Sequence, residues 1–417
     1  MILHIDGDSF FASCAQAVYP HLRGKPVVTG SERGVVTAAS TEAKKLGISR
    51  QTSMYEIKKY FPQCIIVESN YEIYELFSQK MFAILRRYSP DVEKYSVDEG
   101  FVDLSGVLKS RRREGDWAIG WGGGEEDERR RLGETIKNEI EKSLEISVSV
   151  GIGPNKSIAK LASNFQKPSG LTVVKPEEIE NFLKQIPIED VWGIGRATTK
   201  LLQNYRIKTA GDFAKKDEKF VRAVLTKPGI EIWHELNGEY IFTIDPTVKT
   251  SFQSISSTHT FTPPSSDKNF VYSQLVTNLE CACQKARLYN LHTNKISFFL
   301  KGQDFSYKYG AIDLPEKTAT PTVIMKKMHG IFNTLFQQGK LYRATGVILS
   351  NLSKMEDVQE SLLEDQVQTG KSSAVFGAID GLSRKYGERV VKTGSTMFLG
   401  KQKHVKGIGL PRFEVEV

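Results

Sequence analysis

A regular alternation of strand and helix patterns between residues 252 and 351 constrains the fold more than any other feature of this 417-residue sequence. Apolar residues recur there with the periods of strands and of amphipathic helices. In chain order, the pattern predicts strand 252–260, helix 267–289, strands 294–301 and 305–312, helix 321–337 and strand 344–351. This βαββαβ order is ferredoxin-like: helices cover one face of a sheet and leave the other face free.

Most of the excess positive charge lies in the same region. The net charge is +8, but residues 1–240 carry 35 Lys and Arg against 34 Asp and Glu, whereas residues 241–354 carry 13 against 6. Such a basic module is expected of a protein that grips nucleic acid, although a basic domain without that partner has the same composition. The free sheet face is a candidate DNA-binding surface because three lysines lie on or beside its strands: Lys295, Lys301 and Lys308.

The N-terminal half is predicted to be an α+β core. Its elements are strand Ile2–Ile5, helix 72–88, a hairpin over 95–104 with its turn at Asp98-Glu99-Gly100, helix 132–144, strand 146–152 and a helical segment over 187–214. The charged, Gly-rich segment 109–131 buries little apolar surface and is predicted to be a mobile loop. Residues 241–250 are interpreted as a linker.

Carboxylates lie at the ends of two predicted strands. Asp6 and Asp8 flank Gly7 after the first strand, and Asp98 and Glu99 lie at the hairpin turn. One acidic residue at a turn is usually solvated, but two strand ends can converge at one sheet edge. Mg²⁺ prefers carboxylate and phosphate oxygens, and two such ions can activate a 3′-hydroxyl and stabilise a departing pyrophosphate. Four lysines are candidates for contacting a triphosphate, although each alone is typical of a surface residue: Lys44, Lys156, Lys160 and Lys167.

Other function classes receive no support. The four cysteines show no CxxC spacing, so neither a zinc site nor a disulfide framework is indicated. No stretch is long and apolar enough to span a membrane, and no basic region precedes the first apolar run as in a signal peptide. A cytoplasmic protein is expected.

Four segments resemble motifs of the Y family of DNA polymerases, which copy past damaged bases with low fidelity. The matching segments are His4–Ser13 (HIDGDSFFAS), Tyr95–Phe101 (YSVDEGF), Ser149–Lys156 (SVGIGPNK) with Ala159-Lys160 and Lys167–Gly170 (KPSG), and Val191–Arg196 (VWGIGR). The last resembles the family's helix-hairpin-helix. Features of both the polymerase IV branch and the branch of the polymerase V catalytic subunit are present.

The resemblance implies a right-hand polymerase. Its palm is expected over residues 1–8 and 75–165, its small fingers over 9–74 and its helical thumb over 166–240. A ferredoxin-like little finger over 251–354 and a C-terminal tail over 355–417 are expected to follow.

The resemblance also assigns roles to individual residues. Asp6, Asp98 and Glu99 match the catalytic, metal-binding carboxylates, with the Gly7 carbonyl as a further ligand. Phe11 matches the steric gate that excludes a ribose 2′-hydroxyl. The expected nucleotide contacts are Phe10, Phe11, Thr41, Lys44 and Lys167. The expected DNA contacts are Gly193, Gly195, Arg196 and the three little-finger lysines.

Two nucleotide contacts depart from the family pattern. Thr41 and Lys44 stand where the family usually has Tyr and Arg. Thr is shorter than Tyr, and Lys offers a point charge in place of a bidentate fork, which predicts weaker nucleotide binding.

The favoured function is therefore a DNA-directed DNA polymerase that uses two Mg²⁺ ions, for which Mn²⁺ can substitute. Its expected partners are primer-template DNA and dNTPs, with a sliding clamp and, in the polymerase V branch, SOS accessory proteins as further candidates. Two alternatives are a catalytically silent DNA-binding scaffold that recruits other polymerases and a helix-hairpin-helix repair nuclease. The scaffold has no use for convergent carboxylates, and the nuclease has none for Phe11.

Overall fold

The computed structural model of the chain describes residues 1–31, 34–106, 125–247, 251–354, 366–386, 391 and 393–397. The described residues divide into two compact units, Met1–Val248 and Lys249–Val417. The division falls inside the predicted linker 241–250. Residues 109–124 of the predicted mobile loop lie outside the described residues.

Strands and helices are mixed along most of the first unit, which ends in a run of helices. Its strands are β1 (Ile2–Gly7), β2 (Val27–Thr29), β3 (Ala38–Ala39), β4 (Ile65–Val67), β5 (Val92–Lys94), β6 (Glu99–Asp103), β7 (Val148–Gly153) and β8 (Leu171–Val173). Its helices are α1 (Phe10–Val18), α2 (Thr41–Lys45), α3 (Met54–Tyr60), α4 (Tyr71–Tyr88), α5 (Glu125–Leu144), α6 (Lys156–Phe165), α7 (Ile179–Leu183), α8 (Arg196–Asn204), α9 (Ala210–Ala214), α10 (Glu218–Val224) and α11 (Lys227–Leu236).

A five-stranded sheet in the order β5-β6-β1-β7-β8 forms the core of this unit. Its central strand β1 is buried on both faces. Leu3 and Ile5 lie in one cluster with apolar residues of α4 and α5, while Ile2 packs with Phe101 and with Ala159 of α6. Since helices cover both faces, the strand reads in sequence as a continuous apolar run.

The hairpin formed by β5 and β6 differs from the prediction in the position of its turn. The turn was expected at residues 98–100, but β6 already begins at Glu99 and residues 95–98 form the connection. Gly100 lies within the strand, opposite Ile5 of β1. A Cβ atom there would come within 2.8 Å of the Phe82 ring, so this ring fills the space that glycine leaves.

Helix α5 begins earlier than the predicted helix 132–144. It starts at Glu125, so residues 125–131 of the predicted loop are helical. The segment consists mainly of Glu and Arg, which have high intrinsic helix propensity.

Two smaller layers complete the first unit. Strands β3, β2 and β4 form a three-stranded sheet over α2 and α3. Helices α7 to α11 share a separate apolar cluster. The predicted tight turn before α8 is present: Gly193 has a φ of 86°, in the left-handed region that glycine adopts without a steric penalty.

The second unit has the predicted βαββαβ order. Its elements are β9 (Ser254–Ser265), α12 (Lys268–Leu288), β10 (Leu291–Gly302), β11 (Tyr307–Thr318), α13 (Pro321–Leu335), β12 (Tyr342–Ser350), β13 (Ser353–Lys354) and α14 (Gln366–Tyr386). The main sheet runs β11-β10-β12-β9 with all neighbours antiparallel. Apolar residues of α12 and α13 share one cluster with the sheet. None of the helices described here is both long and apolar enough to cross a membrane.

Helix α14 follows the predicted domain and packs against α12. Arg287 of α12 donates to both carboxylate oxygens of Asp380, at 2.7 and 2.9 Å, and to the Ala319 carbonyl at 2.7 Å. Its guanidinium also lies 5.1 Å from the ring centre of Phe376. Part of the region predicted only as a tail is therefore attached to the second unit.

We expect Arg287→Ala to detach α14. The change leaves the carboxylate of Asp380, whose side chain is only 12% exposed, without its cation. Breaking a buried ion pair from one side costs about 3–5 kcal/mol. Hydrogen exchange of the α14 amides should rise in the variant, and the unfolding free energy measured in urea should fall. Arg222→Ala is the matched control, because its pair with Glu218 is solvent-exposed and worth at most about 1 kcal/mol. Unchanged protection of α14 would contradict this assignment.

Candidate nucleotidyl-transfer site

The pairing of β1 with β6 brings two of the predicted carboxylates together. Asp6 lies directly opposite Glu99 in the antiparallel register. Asp98 is the last residue of the turn before β6, and its carbonyl accepts a hydrogen bond of 2.8 Å from the Gly7 N–H. Asp6, Gly7, Asp98 and Glu99, which are separated by about 90 residues in sequence, thus meet at one sheet edge.

Lysines neutralise this edge. Lys167, in the loop before β8, places its Nζ 2.6 Å from Asp6 Oδ1. Lys160, on α6, donates to Glu99 Oε2. Of the other candidate lysines, Lys156 instead pairs with Glu93 and is 5% exposed, so it is buried away from this edge. Lys160 and Lys167 are therefore the cations already at the carboxylates.

A buried histidine lies beneath Glu99. The Nε2 atom of His4 is 3.3 Å from Glu99 Oε2, and its Nδ1 is 2.7 Å from Ser163 Oγ. Burial lowers the pKa of His4 to about 4, so the ring is neutral near pH 7. Sequence reasoning missed the contact between His4 and Ser163 because the two residues are 159 positions apart in the chain.

The two facing carboxyls have opposite pKa shifts. Burial raises the pKa of Asp6, and the neighbouring charges of Asp98 and Glu99 add to the increase, while Lys167 opposes it. Burial acts the same way on Glu99, but the close contact with His4 and the hydrogen bond from Lys160 outweigh it and lower its pKa to about 2. Glu99 is therefore ionised at neutral pH, whereas at Asp6 burial favours the neutral form and the Lys167 ammonium favours the charged one.

The donor set fits a hard divalent cation. The charges of Asp98 and Glu99 lie close enough to raise the pKa of Asp6, and these carboxylates, with a backbone carbonyl beside them, supply the oxygen ligands that Mg²⁺ prefers. Within the described ranges, no three His, Cys, Asp or Glu side chains already surround one point as a metal-binding group. The reason is visible at two of the carboxylates, since Asp6 and Glu99 are directed to lysines.

The two phenylalanines of the first motif have different surroundings. Phe10 is 3% exposed and packs beneath Gly7, so its side chain is not accessible to a nucleotide; this corrects its expected place among the nucleotide contacts. Phe11 is partly exposed, and its ring stacks on Tyr74 with the centres 4.2 Å apart and 12° between the planes. Tyr71 meets Phe11 edge-on at 5.9 Å.

Lys44 and Thr41 lie on the short helix α2. Burial lowers the pKa of Lys44, while the charges of Asp8 and Asp6 counteract the shift. Lys44 therefore lies near the acidic edge. Thr41 is the first residue of α2 and is partly buried.

The predicted DNA contacts before α8 are exposed. Gly193, Gly195 and Arg196 all face solvent, and Gly195 is the N-cap of α8. Helix N-termini of this kind present backbone N–H groups to phosphates.

The three predicted lysines of the second unit do not share one face. Lys295 and Lys301 alternate with the core residues of β10 and lie on the face without helices. Lys308 pairs with Leu300, which is fully buried beneath the helices. Residues directly opposite in a sheet share a face, so Lys308 lies on the helix side, and its predicted place on the free face is wrong.

Sequence reasoning missed an aromatic cluster on the free face. Tyr307 and Tyr309 of β11 stack at 5.7 Å with 8° between their rings. Lys301 lies 4.8 Å from the Tyr307 ring centre, and Arg343 lies 4.6 Å from that of Phe305. The alternation of Tyr307 and Tyr309 with Lys308 was the available signal.

Three models of one protein family match the chain. The impB/mucB/samB family model covers residues 5–164, the HHH motif of the same family covers 176–206, and its C-terminal domain covers 252–362. Together they match parts of both described units. The chain belongs to this family, the Y-family DNA polymerases. In this Y-family polymerase, the match over residues 5–164 contains every expected metal ligand. The match to the HHH motif over residues 176–206 contains the exposed turn before α8.

Curated relatives of this Y-family polymerase extend over nearly its whole length. A "DNA polymerase IV" of Bacillus velezensis is 27% identical over 405 residues, covering 95% of this chain and 93% of its own. A "DNA polymerase IV" of Methanoculleus marisnigri is 29% identical over 358 residues, covering 84% and 94%.

Solved structures share the fold of this Y-family polymerase. A Y-family DNA polymerase chimera built on Dbh superposes with a TM-score of 0.68 at 23% identity, covering 85% of this chain and 99% of its own. An insertion ternary complex of Dbh gives 0.54 at 23% identity over the same shares. The architecture is thus the right-hand one of palm, fingers, helix-hairpin-helix thumb and little finger.

Proposed function

We propose that this chain is a template-directed DNA polymerase that joins dNTPs to a primer 3′-hydroxyl with low fidelity, in translesion synthesis. The observation that carries the proposal is the register of β1 with β6, which places Asp6 opposite Glu99. The partly exposed Phe11 follows Asp6 by five residues in the chain. Family membership supplies the reaction class. The primer-template and dNTP are accordingly its proposed substrates.

Asp6, Asp98, Glu99 and the Gly7 carbonyl are the proposed ligands of two Mg²⁺ ions, for which Mn²⁺ can substitute. Bound there, the ions would activate the primer hydroxyl and stabilise the departing pyrophosphate. The chain's own contribution is to hold the carboxylates on paired strands, where little rearrangement is needed before reaction.

Lys167 is the proposed contact of the incoming triphosphate. Its ammonium now neutralises Asp6, and a metal ion would take over that part. We infer that Lys167 then turns to the phosphates, which need a cation of their own. Lys44 and Thr41 are proposed to assist from α2. Lys160 stays with Glu99 and fixes its orientation.

The proposed DNA contacts lie on two surfaces. The exposed turn Gly193–Gly195 with Arg196 is suited to a backbone phosphate. The free face of the little-finger sheet, with Lys295 and Lys301, is suited to the charged backbone of duplex DNA. A sliding clamp and SOS accessory proteins are further proposed partners. The segment Gln359–Leu363 matches clamp-binding peptides only in a degenerate form and is better interpreted as a solvated linker; it lies outside the described residues.

We expect the combined variant Lys295→Ala/Lys301→Ala to reduce the salt dependence of DNA binding. The plot of log K for DNA binding against log salt has a negative slope, and each lost phosphate contact makes this slope less steep by about 0.9. Two losses should therefore flatten it by about 2 when binding is titrated by fluorescence anisotropy between 50 and 200 mM salt, as a rough working range. Lys308→Ala is the matched control, since Lys308 lies on the helix side. Equal slopes for the parent and the double variant would place the DNA-binding surface elsewhere.

A silent DNA-binding scaffold is the alternative function, but it gives no role to the facing carboxylates or to the lysines beside them. Primer extension separates the possibilities. A polymerase lengthens a 5′-labelled primer, a scaffold leaves it unchanged and a nuclease shortens it. We expect lengthening that EDTA abolishes; unaltered primer under conditions of saturated DNA binding would favour the scaffold.

A further inference from the structure

Asp8 is a buried carboxylate that the proposed reaction does not use. It is 5% exposed, although it lies only two residues after the proposed ligand Asp6. Its Oδ2 accepts hydrogen bonds from Ser147 Oγ at 2.7 Å and from the Ser169 N–H at 2.7 Å. Ser149 Oγ lies 2.9 Å from Oδ1 and 3.0 Å from Oδ2. Neutral donors thus make the hydrogen bonds to this carboxylate, and the ammonium of Lys44 lies near enough for its charge to interact with that of Asp8.

These contacts fix the loop that carries Lys167. Ser169 has a φ of 56°, an uncommon conformation for a residue with a side chain. Its N–H is held by Asp8, and its hydroxyl donates to Glu141 Oε1 at 2.9 Å. The backbone N–H and the hydroxyl of Ser169 therefore both hold the loop in place. Two residues earlier, Lys167 reaches Asp6.

We propose that Asp8 is a positioning residue: it holds the loop of residues 167–170 so that Lys167 lies over Asp6, and it thereby sets the affinity for the incoming nucleotide. This inference rests on the proposed function. The segment before α1 then has two separate tasks, since Asp6 binds metal while Asp8 places the cation that meets the triphosphate.

The competing interpretation is that Asp8 only stabilises the fold. A buried carboxylate with several hydrogen bonds can contribute to the free energy of unfolding alone, because removing it leaves its donors unpaired. The two interpretations differ in what happens in folded protein. A purely structural residue changes the unfolding free energy and the folded fraction, but not the KM for dNTP of the molecules that remain folded.

The test is single-nucleotide insertion on a saturating primer-template, with kcat and the KM for dNTP measured separately. We expect Asp8→Ala to raise the KM by about tenfold, the size of one lost charge-assisted hydrogen bond, with kcat changed less than the KM. Asp103→Ala is the control: Asp103 lies at the opposite end of β6, contacts Ser105 and the N-terminal amine, and should leave the KM unchanged.

A double-mutant cycle with Lys167→Met identifies the route of the effect. If Asp8 acts through Lys167, Asp8→Ala should change the KM less than about twofold in the Lys167→Met background, because the lysine that it positions is already absent. Equal tenfold effects in both backgrounds would overturn the inference, as would an unchanged KM for Asp8→Ala alone. A parent protein that inserts no nucleotide would overturn the proposed function instead.

Two conservative variants keep the test decisive if Asp8→Ala does not fold. Asp8→Asn can direct its carbonyl oxygen to the Ser169 N–H and its amide to the Ser149 hydroxyl, so we expect a KM close to that of the parent. Asp8→Glu keeps the charge but pushes the carboxylate towards the loop, so the KM should rise. If both variants match the parent, Asp8 does not position Lys167.

Discussion

Replacing Asp98 by Ala should abolish nucleotide insertion, with a fall in rate of about a thousandfold or more, the effect of losing one preorganised electrostatic group in a catalytic site. Asp98 lies beside the Asp6–Glu99 pair, and its charge raises the pKa of Asp6. Without it, two metal ions would share two side-chain carboxylates, and the developing charge on the attacking and leaving oxygens would lose part of its stabilisation.

The same variant should fold and bind DNA as the parent does. Removing Asp98 relieves repulsion at Asp6, so the melting temperature should not fall. Rapid-quench insertion kinetics give the rate, and anisotropy with labelled primer-template gives the DNA affinity. Asp91→Ala is the control, because Asp91 is exposed just before β5, at the end of the hairpin remote from Asp98. Insertion at a near-parental rate would show that the metal ligands have been assigned wrongly.

Replacing Phe11 by Ala should admit ribonucleotides. The Phe11 ring is held by its stack on Tyr74, so it cannot move aside easily for a larger sugar. A ring against C2′ excludes a hydroxyl by steric clash and offers it no hydrogen-bond partner. An apolar pocket rejects a substrate that carries an extra hydroxyl by about a hundredfold. We expect Phe11→Ala to lose most of this discrimination between dNTP and rNTP.

The measurement compares kcat/KM for a dNTP and the matching rNTP on one template. The dNTP value should change little, while the rNTP value should rise. Phe10→Ala is the matched control on the adjacent ring. Because Phe10 is 3% exposed, its loss should lower the unfolding free energy by about 3–5 kcal/mol and leave sugar selection as it was. If Phe11→Ala still rejects rNTPs as strongly as the parent, another residue is the gate.

Elements with a strong local period were predicted well. The βαββαβ order is confirmed, and so is helix α4, because amphipathic spacing reports burial directly. Predictions that depended on one-residue register were less successful. Lys308 lies on the opposite face from Lys301 because side chains alternate along a strand, and the regular pairing of residues 295–301 of β10 with β11 sets the face on which each side chain lies.

Contacts between distant segments were beyond a single sequence. The roles of His4 and Asp8 depend on Ser163 and Ser169, which follow them by 159 and 161 residues. The docking of α14 depends on Arg287 and Asp380, 93 residues apart. No local pattern marks such pairs. The carboxylates were found because strand ends bearing acids are visible locally, whereas the donors that orient them are not.

The most direct test of the account is a single-nucleotide insertion assay in which pyrophosphate release and primer extension are measured together with Mg²⁺. Four templates, differing only in the first unpaired base, are each offered the four dNTPs one at a time. We expect the complementary dNTP to be preferred on each template and one pyrophosphate to be released for each primer extended, with neither product after chelation. Insertion that ignores the template base, or no pyrophosphate release from fully bound DNA, would contradict a template-directed polymerase.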